Sequence, residues 1–442
     1  MKKEFIIFVF LCGLIFTLIS CSNSELKIIG EDSSNLHALK SQEGAFEENS
    51  ETSLSFRPNS FENASEKANQ DFINHTGLYD VILQYNFSLS TYVKKGYVWP
   101  IDSLLAKYNK NNKRSLTFED ELFPNAWKEV GWYYKEPTNP EVESLQKIGY
   151  PFATNTILLV YNKNFFEKEE NKRNFKKRYG RDLNIPTDWE QFWNVAEFFT
   201  KDSNYGICMQ GAEGSWLYYE YCTFLFGMKG SVFEEKKYGW ENSRNKVVAL
   251  TSPEAISATK YYLGLKKFNK GDYTTVDATR QVKLIQEGNV AMGLVWSDYL
   301  YEFINEKDRF GFAPIPGDDS PIAGGCYYVN RDTKNPEAAT DFILYMMQPE
   351  TQVELALNGL CSPLKSTYDD KRVLDKIPYS KALKTSLERG KYMFEAGLES
   401  KIVSDIITNH IQRLWKTDNP DVEKVLGHIK NDIDAEREKI YK

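Results

Sequence analysis

The sequence predicts an α/β protein built as two lobes behind a short export segment. Three observations carry that expectation. Strand-like and helix-like stretches interleave along the whole chain, the pattern of an α/β fold. The chain has 442 residues, more than the roughly 250–300 over which a single hydrophobic core keeps growing. A hydrophobic share of 41%, a charged share of 26% and a formal net charge of −7 belong to a folded globular protein. The mild acidity argues against a phosphate-tracking surface, so no nucleic-acid partner is expected. Phe, Trp and Tyr make up 14% of the residues. That excess has to be core or binding surface.

At the start, Lys2 and Lys3 precede an apolar run from Phe5 to Ile19. The run is shorter than the roughly 20 residues of a membrane-spanning helix and fits a secretory signal. It ends Leu18-Ile19-Ser20-Cys21, followed by polar Ser22-Asn23-Ser24. This box resembles the bacterial lipoprotein signal, which is cleaved before a lipidated Cys. Residues 1–20 are then the signal peptide, Cys21 the acylated first residue, and 21–25 a short tether. The mature protein, of net charge −8, is expected outside the cytoplasm, anchored to a bacterial membrane by its acyl chains.

Leu26–Gly30 and Leu54–Phe56 read as strands, and Tyr79–Tyr85 as a third. A helix between the last two lines up Ala64, Ala68 and Phe72 on one face. Thr156–Tyr161 is nearly all apolar, as in a strand buried on both faces. Thr187-Asp188-Trp189-Glu190 reads as a capping box opening a helix with Trp189, Trp193 and Ala196. Strands are expected at Tyr205–Met209, Val290–Trp296 and Cys326–Asn330. Ser252-Pro253-Glu254 and Asn335-Pro336-Glu337 are helix starts, with Pro at the first helical position. The second of these helices buries Ala339, Phe342, Ile343 and Met346. Asn419-Pro420-Asp421 opens the last helix, with Val422, Val425, Leu426, Ile429 and Ile433 on its apolar side. Internal repeats, low-complexity tracts and long linkers are absent from the sequence.

Catalytic motifs are missing. The sequence has no HExxH, no G-x-S-x-G, no P-loop and no G-x-G-x-x-G. His37, His75, His410 and His428 show no metal-ligand spacing and read as surface or structural groups. Neither a metal nor a cofactor is expected. Beyond Cys12 and Cys21 there remain Cys208, Cys222, Cys326 and Cys361. None forms a CxxC pair, and their spacing is compatible with disulfides or with free buried thiols.

Four ordered stretches resemble one family. They are Tyr79-Asp80-Val81 with Tyr92, Gly96 and Pro100-Ile101-Asp102; Gly149-Tyr150-Pro151 with Leu158–Lys163 and Phe165-Phe166; Tyr179-Gly180 with Pro186–Trp189 and Phe192; and Gly288, Val290–Met292, Trp296, Gly311–Gly317 and Gly324-Gly325. Asn335–Met346 and Gly359–Pro363 follow. Their order is similar to that of the sugar-binding lipoproteins of ABC importers, the extracellular solute-binding proteins that include the maltose-binding type.

The resemblance implies a periplasmic-binding-protein-like fold, with a ligand cleft between two lobes and hinge crossings near Gly149–Pro151, Gly324–Cys326 and Gly359–Pro363. It assigns 26–150 plus 325–361 to the N-terminal lobe and 151–324 plus 362–442 to the C-terminal lobe. Cys326 and Cys361, beside two crossings, are implied to be spatial neighbours within reach of a disulfide. The implied function is capture of a sugar or oligosaccharide by a non-enzymatic, monomeric binding protein that delivers it to importer permease subunits. The alternatives are a non-sugar solute, such as a phosphorylated polyol or a peptide-like molecule, and a surface glycosidase.

Sugar hydroxyls need polar partners once desolvated, and sugar C–H faces stack on aromatic rings. Trp296, at the end of its strand, and Trp216 and Tyr218 are the implied stacking residues. Gln84, Tyr85 and Asn86 follow the Asp80 strand into the cleft. Asp32 and Asp298 are the implied hydroxyl partners, and Gly324 and Gly325 allow close backbone approach. Trp189, Trp193 and Trp415 fall at helical spacing in apolar stretches and are assigned to core. Phe87 and Ser88 stand where maltose-binding relatives place an acid, which points away from a maltose-type ligand.

Overall fold

The computed structural model describes residues 24–112, 114–135, 145–212, 215–234, 246–393 and 400–441. The expected signal peptide and Cys21 lie outside the described residues. The strands are β1 (Ser24–Glu31), β2 (Thr52–Asn59), β3 (Val81–Tyr85), β4 (Val98–Trp99), β5 (Trp132–Tyr134), β6 (Leu145–Lys147), β7 (Pro151–Asn162), β8 (Tyr205–Cys208), β9 (Val290–Trp296), β10 (Phe310–Pro314), β11 (Pro321–Asn330) and β12 (Lys391–Tyr392).

Ten of them form one continuous sheet along the path β2-β1-β3-β11-β7-β9-β8, with β10 on β7 and β4 and β12 on β11. β5 and β6 pair separately. β1, β2 and β3 are parallel, as are β8 and β9. Helices cover both faces, giving the two-lobed α/β architecture.

Side-chain alternation sorts the sheet into cores. In one lobe Val81, Leu83, Tyr327 and Val329 face one cluster, while Ile82, Cys326 and Tyr328 face another. In the other lobe Ile157 and Leu159 face one cluster, and Leu158 and Val160 the opposite one. Two buried faces explain why these strands read as unbroken apolar runs.

The lobes are joined where β7 and β11 run through both. β7 pairs with β11 over Pro151–Thr156 and with β9 over Ile157–Tyr161. The register slips at Gly325/Cys326, a bulge that bends the crossing strand. A third segment joins them there. The Thr154 amide donates to the Cys361 carbonyl at 2.9 Å, and the Thr154 hydroxyl to the Ser362 carbonyl at 3.0 Å. Gly359, just before, has φ +100, and a Cβ there would lie 2.8 Å from the Tyr301 ring.

Two local expectations are corrected. Asp188, not Thr187, caps the helix Trp189–Phe199: its carboxylate accepts from the Gln191 amide at 2.8 Å. The box is therefore Asp-x-x-Gln, one residue later than expected. The Cys326–Cys361 bridge does not form; Cys208, Cys222, Cys326 and Cys361 are all free buried thiols. The reason is strand alternation. Cys326 points into the cluster with Ile82 and Tyr328, whereas Cys361 lies in the cluster with Leu158 and Val160, its thiol 3.3 Å from the Ser297 hydroxyl.

Candidate functional site

In α/β sheets, ligands bind beyond the carboxyl ends of parallel strands. Here the carboxyl ends of β1, β3 and β9 converge, with Glu31, Tyr85 and Trp296 as their last residues. They border a small cavity of about 40 Å³, well below the roughly 300–1,000 Å³ of most small-molecule sites. One lobe contributes Glu31, Phe61, Tyr85 and Asn86. The other contributes Trp216, Tyr219, Trp296, Asp298 and Tyr299. The crossing strands add Asn155 and Ala323.

The walls are aromatic. Tyr219 and Trp296 pack edge to face at 5.5 Å between centroids, and Trp216 lies 6.2 Å from Tyr219 and 6.4 Å from Tyr299. Phe61 reaches across to Trp216 at 6.2 Å. The lobes also meet through the Ser34 hydroxyl, which donates to the Asp298 carbonyl at 2.6 Å. These two contacts bridge the lobes beside the cavity.

Polar atoms stand at the edges of these walls. Asn86 Oδ1, Asn155 Oδ1, Trp296 Nε1 and Asp298 Oδ1 are buried and have no hydrogen-bond partner among the described residues. Buried polar atoms without partners are uncommon in folded proteins, because each forfeits its hydration. The Asn86 amide nitrogen donates to Glu129 Oε1 at 2.9 Å, which fixes the amide so that its oxygen turns away from Glu129. The Tyr85 hydroxyl donates to Glu31 Oε2 at 2.6 Å.

Burial pushes the Glu31 carboxyl above the usual range. Burial first, and the charge of Glu31 second, push Asp298 up to about 7. No group of three or more His, Cys, Asp or Glu suited to a metal ion occurs among the described residues.

Of the expected site residues, Tyr85, Asn86, Trp216, Trp296 and Asp298 come together here. Five others do not. Asp32 is exposed, with its carboxylate 2.7 Å from His37 Nε2; Glu31 takes the cavity position. Gln84 points to the other face of β3 from Tyr85, as alternation requires. Tyr218 is buried and donates its hydroxyl to the Met393 carbonyl at 2.9 Å.

Gly324 and Gly325 serve packing between the crossing strands. A Cβ on Gly324 would meet the Ala153 carbonyl at 2.6 Å, and one on Gly325 the Phe152 ring at 2.0 Å. Trp189 and Trp415 lie in the core and Trp193 packs against it, as expected.

Sequence reasoning missed Glu31, Phe61, Asn155, Tyr219, Tyr299 and Ala323. Two signals were available. Tyr219 stands three residues after Trp216 on the helix Ser215–Gly227, so the two share a face and Tyr218 does not. Asn155, between Thr154 and Thr156, sits in a strand buried along nearly its whole length, where a buried amide needs a partner.

Residues 44–378 match the model of a family described as bacterial extracellular solute-binding protein. Among solved structures, an ABC transporter solute-binding protein from Agrobacterium radiobacter K84 in complex with ribitol aligns with a TM-score of 0.74 at 18% identity, over 93% of this chain and 98% of that one. Maltose-bound MalE3 of T. maritima gives 0.72 at 18% identity, over 93% and 99%. A solute-binding protein of Thermotoga lettingae TMO bound with α-D-tagatose gives 0.74 at 18%, over 95% and 100%. At such identities the likeness is one of fold. A search of curated protein sequences returns no match.

Proposed function

The chain belongs to the bacterial extracellular solute-binding protein family, and from that membership we propose that it captures a sugar or polyol in its inter-lobe cavity. The carrying observation is the cavity itself, with aromatic walls and unpartnered polar atoms at their edges. A sugar has the complementary surface, C–H faces and a rim of hydroxyls. The bound ligands of the structural neighbours, ribitol, maltose and tagatose, support the same chemistry.

In this reading 26–150 plus 325–361 form one lobe and 151–324 plus 362–442 the other. They hinge at the crossings and close on the ligand, which binds the closed form more tightly than the open one. The protein acts outside the cytoplasm, acylated at Cys21, and hands its ligand to the permease subunits of an ABC importer. No Lys, Arg or His is among the described residues that line the cavity, which speaks against a phosphorylated ligand.

The test is a thermal-shift screen of the purified protein against neutral and aminated sugars and polyols. A saturable rise in melting temperature with at least one of them is expected. No rise with any would remove the reading. One observation favours a second reading: Glu31 and Asp298 put two carboxyl groups in one cleft, the equipment of a glycoside hydrolase. Recovery of oligosaccharide intact after incubation supports binding; released reducing ends would support hydrolysis.

A further inference from the structure

We propose that the solute carries a protonated amine, as an amino sugar or aminated polyol does, and that this amine sits between the carboxylates of Glu31 and Asp298 within the aromatic cage. The inference rests on the reading of the cavity as a sugar or polyol site and narrows it.

The first observation is charge without a counter-charge. Glu31 ends β1 in one lobe, and Asp298 follows β9 in the other. Both line the cavity, and none of the described lining residues is basic. The titratable groups facing them bring no positive charge. Asp298 meets Glu31 from β1, Tyr85 from β3, the Tyr299 phenol beside it, the Cys361 thiol from the third crossing and Tyr379. Glu31 also feels Glu62 and Asp32. Burial favours the proton on both carboxyls, and the charge of Glu31 favours it further on Asp298. A bound cation relieves that.

The second observation is independent of charge. The two most buried polar side chains of the cavity, Asn155 at 3% and Asn86 at 4% exposure, each leave an oxygen without a partner. With Glu31 and Asp298 they make the cavity rich in acceptors. An ammonium is the donor-rich complement, with three N–H groups and no acceptor. The rings of Trp216, Tyr219 and Trp296 add π-faces, which attract a cation within about 6 Å of the ring centre.

The sign of the pH response follows. A cation favours the ionised carboxyls, and Asp298 stands near 7. Binding the amine therefore releases a proton, and affinity rises as pH increases toward neutrality. It falls again where the amine itself loses its proton.

Calorimetric titration of the full chain with matched pairs tests this: D-glucosamine and D-glucose, D-galactosamine and D-galactose, 1-amino-1-deoxy-D-sorbitol and D-sorbitol. N-acetyl-D-glucosamine keeps the nitrogen and removes the charge. We expect the amine of at least one pair to bind at least about tenfold tighter than its neutral partner. The preference grows from pH 5.5 to 7, and Glu31→Gln or Asp298→Asn brings the ratio toward one. The wild-type comparison stands even if a variant fails to fold. Neutral members binding as tightly as their amines would overturn this inference and leave the sugar reading intact. No binding by any member, charged or neutral, would remove both.

Discussion

Asp298 carries its carboxyl at the cleft with a proton affinity raised to about 7, by burial and then by the charge of Glu31. Its unfolded value is near 3.9. The folded protein therefore resists an ionisation that the unfolded chain makes freely. The stability lost to this group is absent below pH ~4, grows as pH rises, and is complete above about 7. Asp298→Asn should accordingly raise the melting temperature of the ligand-free protein more at pH 8 than at pH 5, measured by calorimetry. An equal rise at both would refute the assignment.

Neighbouring positions divide in the same concrete way. Tyr219→Ala removes a cage ring and should weaken ligand about 10-fold or more, on the order of 1.5 kcal/mol. Tyr218→Phe removes the hydroxyl that donates to the Met393 carbonyl and pairs with the Cys222 thiol. It should cost about 1 kcal/mol of stability, read by denaturant titration, with affinity unchanged. The sequence points to the right neighbourhoods: Asp32 for Glu31, Tyr218 for Tyr219, Gly324 for Ala323. It misses by one residue each time. Strands and helices turn successive side chains to different faces, and which face meets the cavity is decided by tertiary packing that a single sequence does not display.

At the level of elements, β9 has the bounds its sequence predicts, because its apolar run matches its burial on both faces. β7 and β11 are longer than expected, extending through Pro151–Asn155 and Pro321–Gly325. Those extensions mix strand formers (Phe152, Thr154, Ile322) with Pro151, Asn155, Pro321, Gly324 and Gly325, which break the apolar pattern. They are strands because they pair with each other, and tertiary pairing overrides weak local preference. The joint they form depends on Gly359, whose φ of +100 disfavours any other residue. Gly359→Ala meets both that strain and the Tyr301 ring, and should lose about 1–3 kcal/mol in equilibrium unfolding. A loss within a few tenths would mean that the joint tolerates a side chain there.

Across the whole molecule, the sheet runs unbroken from one lobe to the other, and the cavity lies where the carboxyl ends of both lobes' parallel strands meet. The lobes meet beside the cavity through the Ser34 hydroxyl on the Asp298 carbonyl and Phe61 against Trp216. The aromatic share that stood out in the composition divides accordingly, with most rings in the four cores and a small group on the cleft walls. Ser24 and Glu25, expected as part of the tether, already pair with β2, so acylation at Cys21 would hold this body close to the membrane. Cys21→Ser should move the protein from the membrane fraction to the soluble fraction of fractionated cells; retention in the membrane would argue against acylation there.

The most direct test of the central claim is isothermal titration of the tightest sugar or polyol from the screen into the wild-type protein and into Trp216→Ala and Trp296→Ala variants that melt cooperatively. One saturable site per chain is expected, weakened at least about tenfold by either substitution. Unchanged affinity in both variants would contradict it.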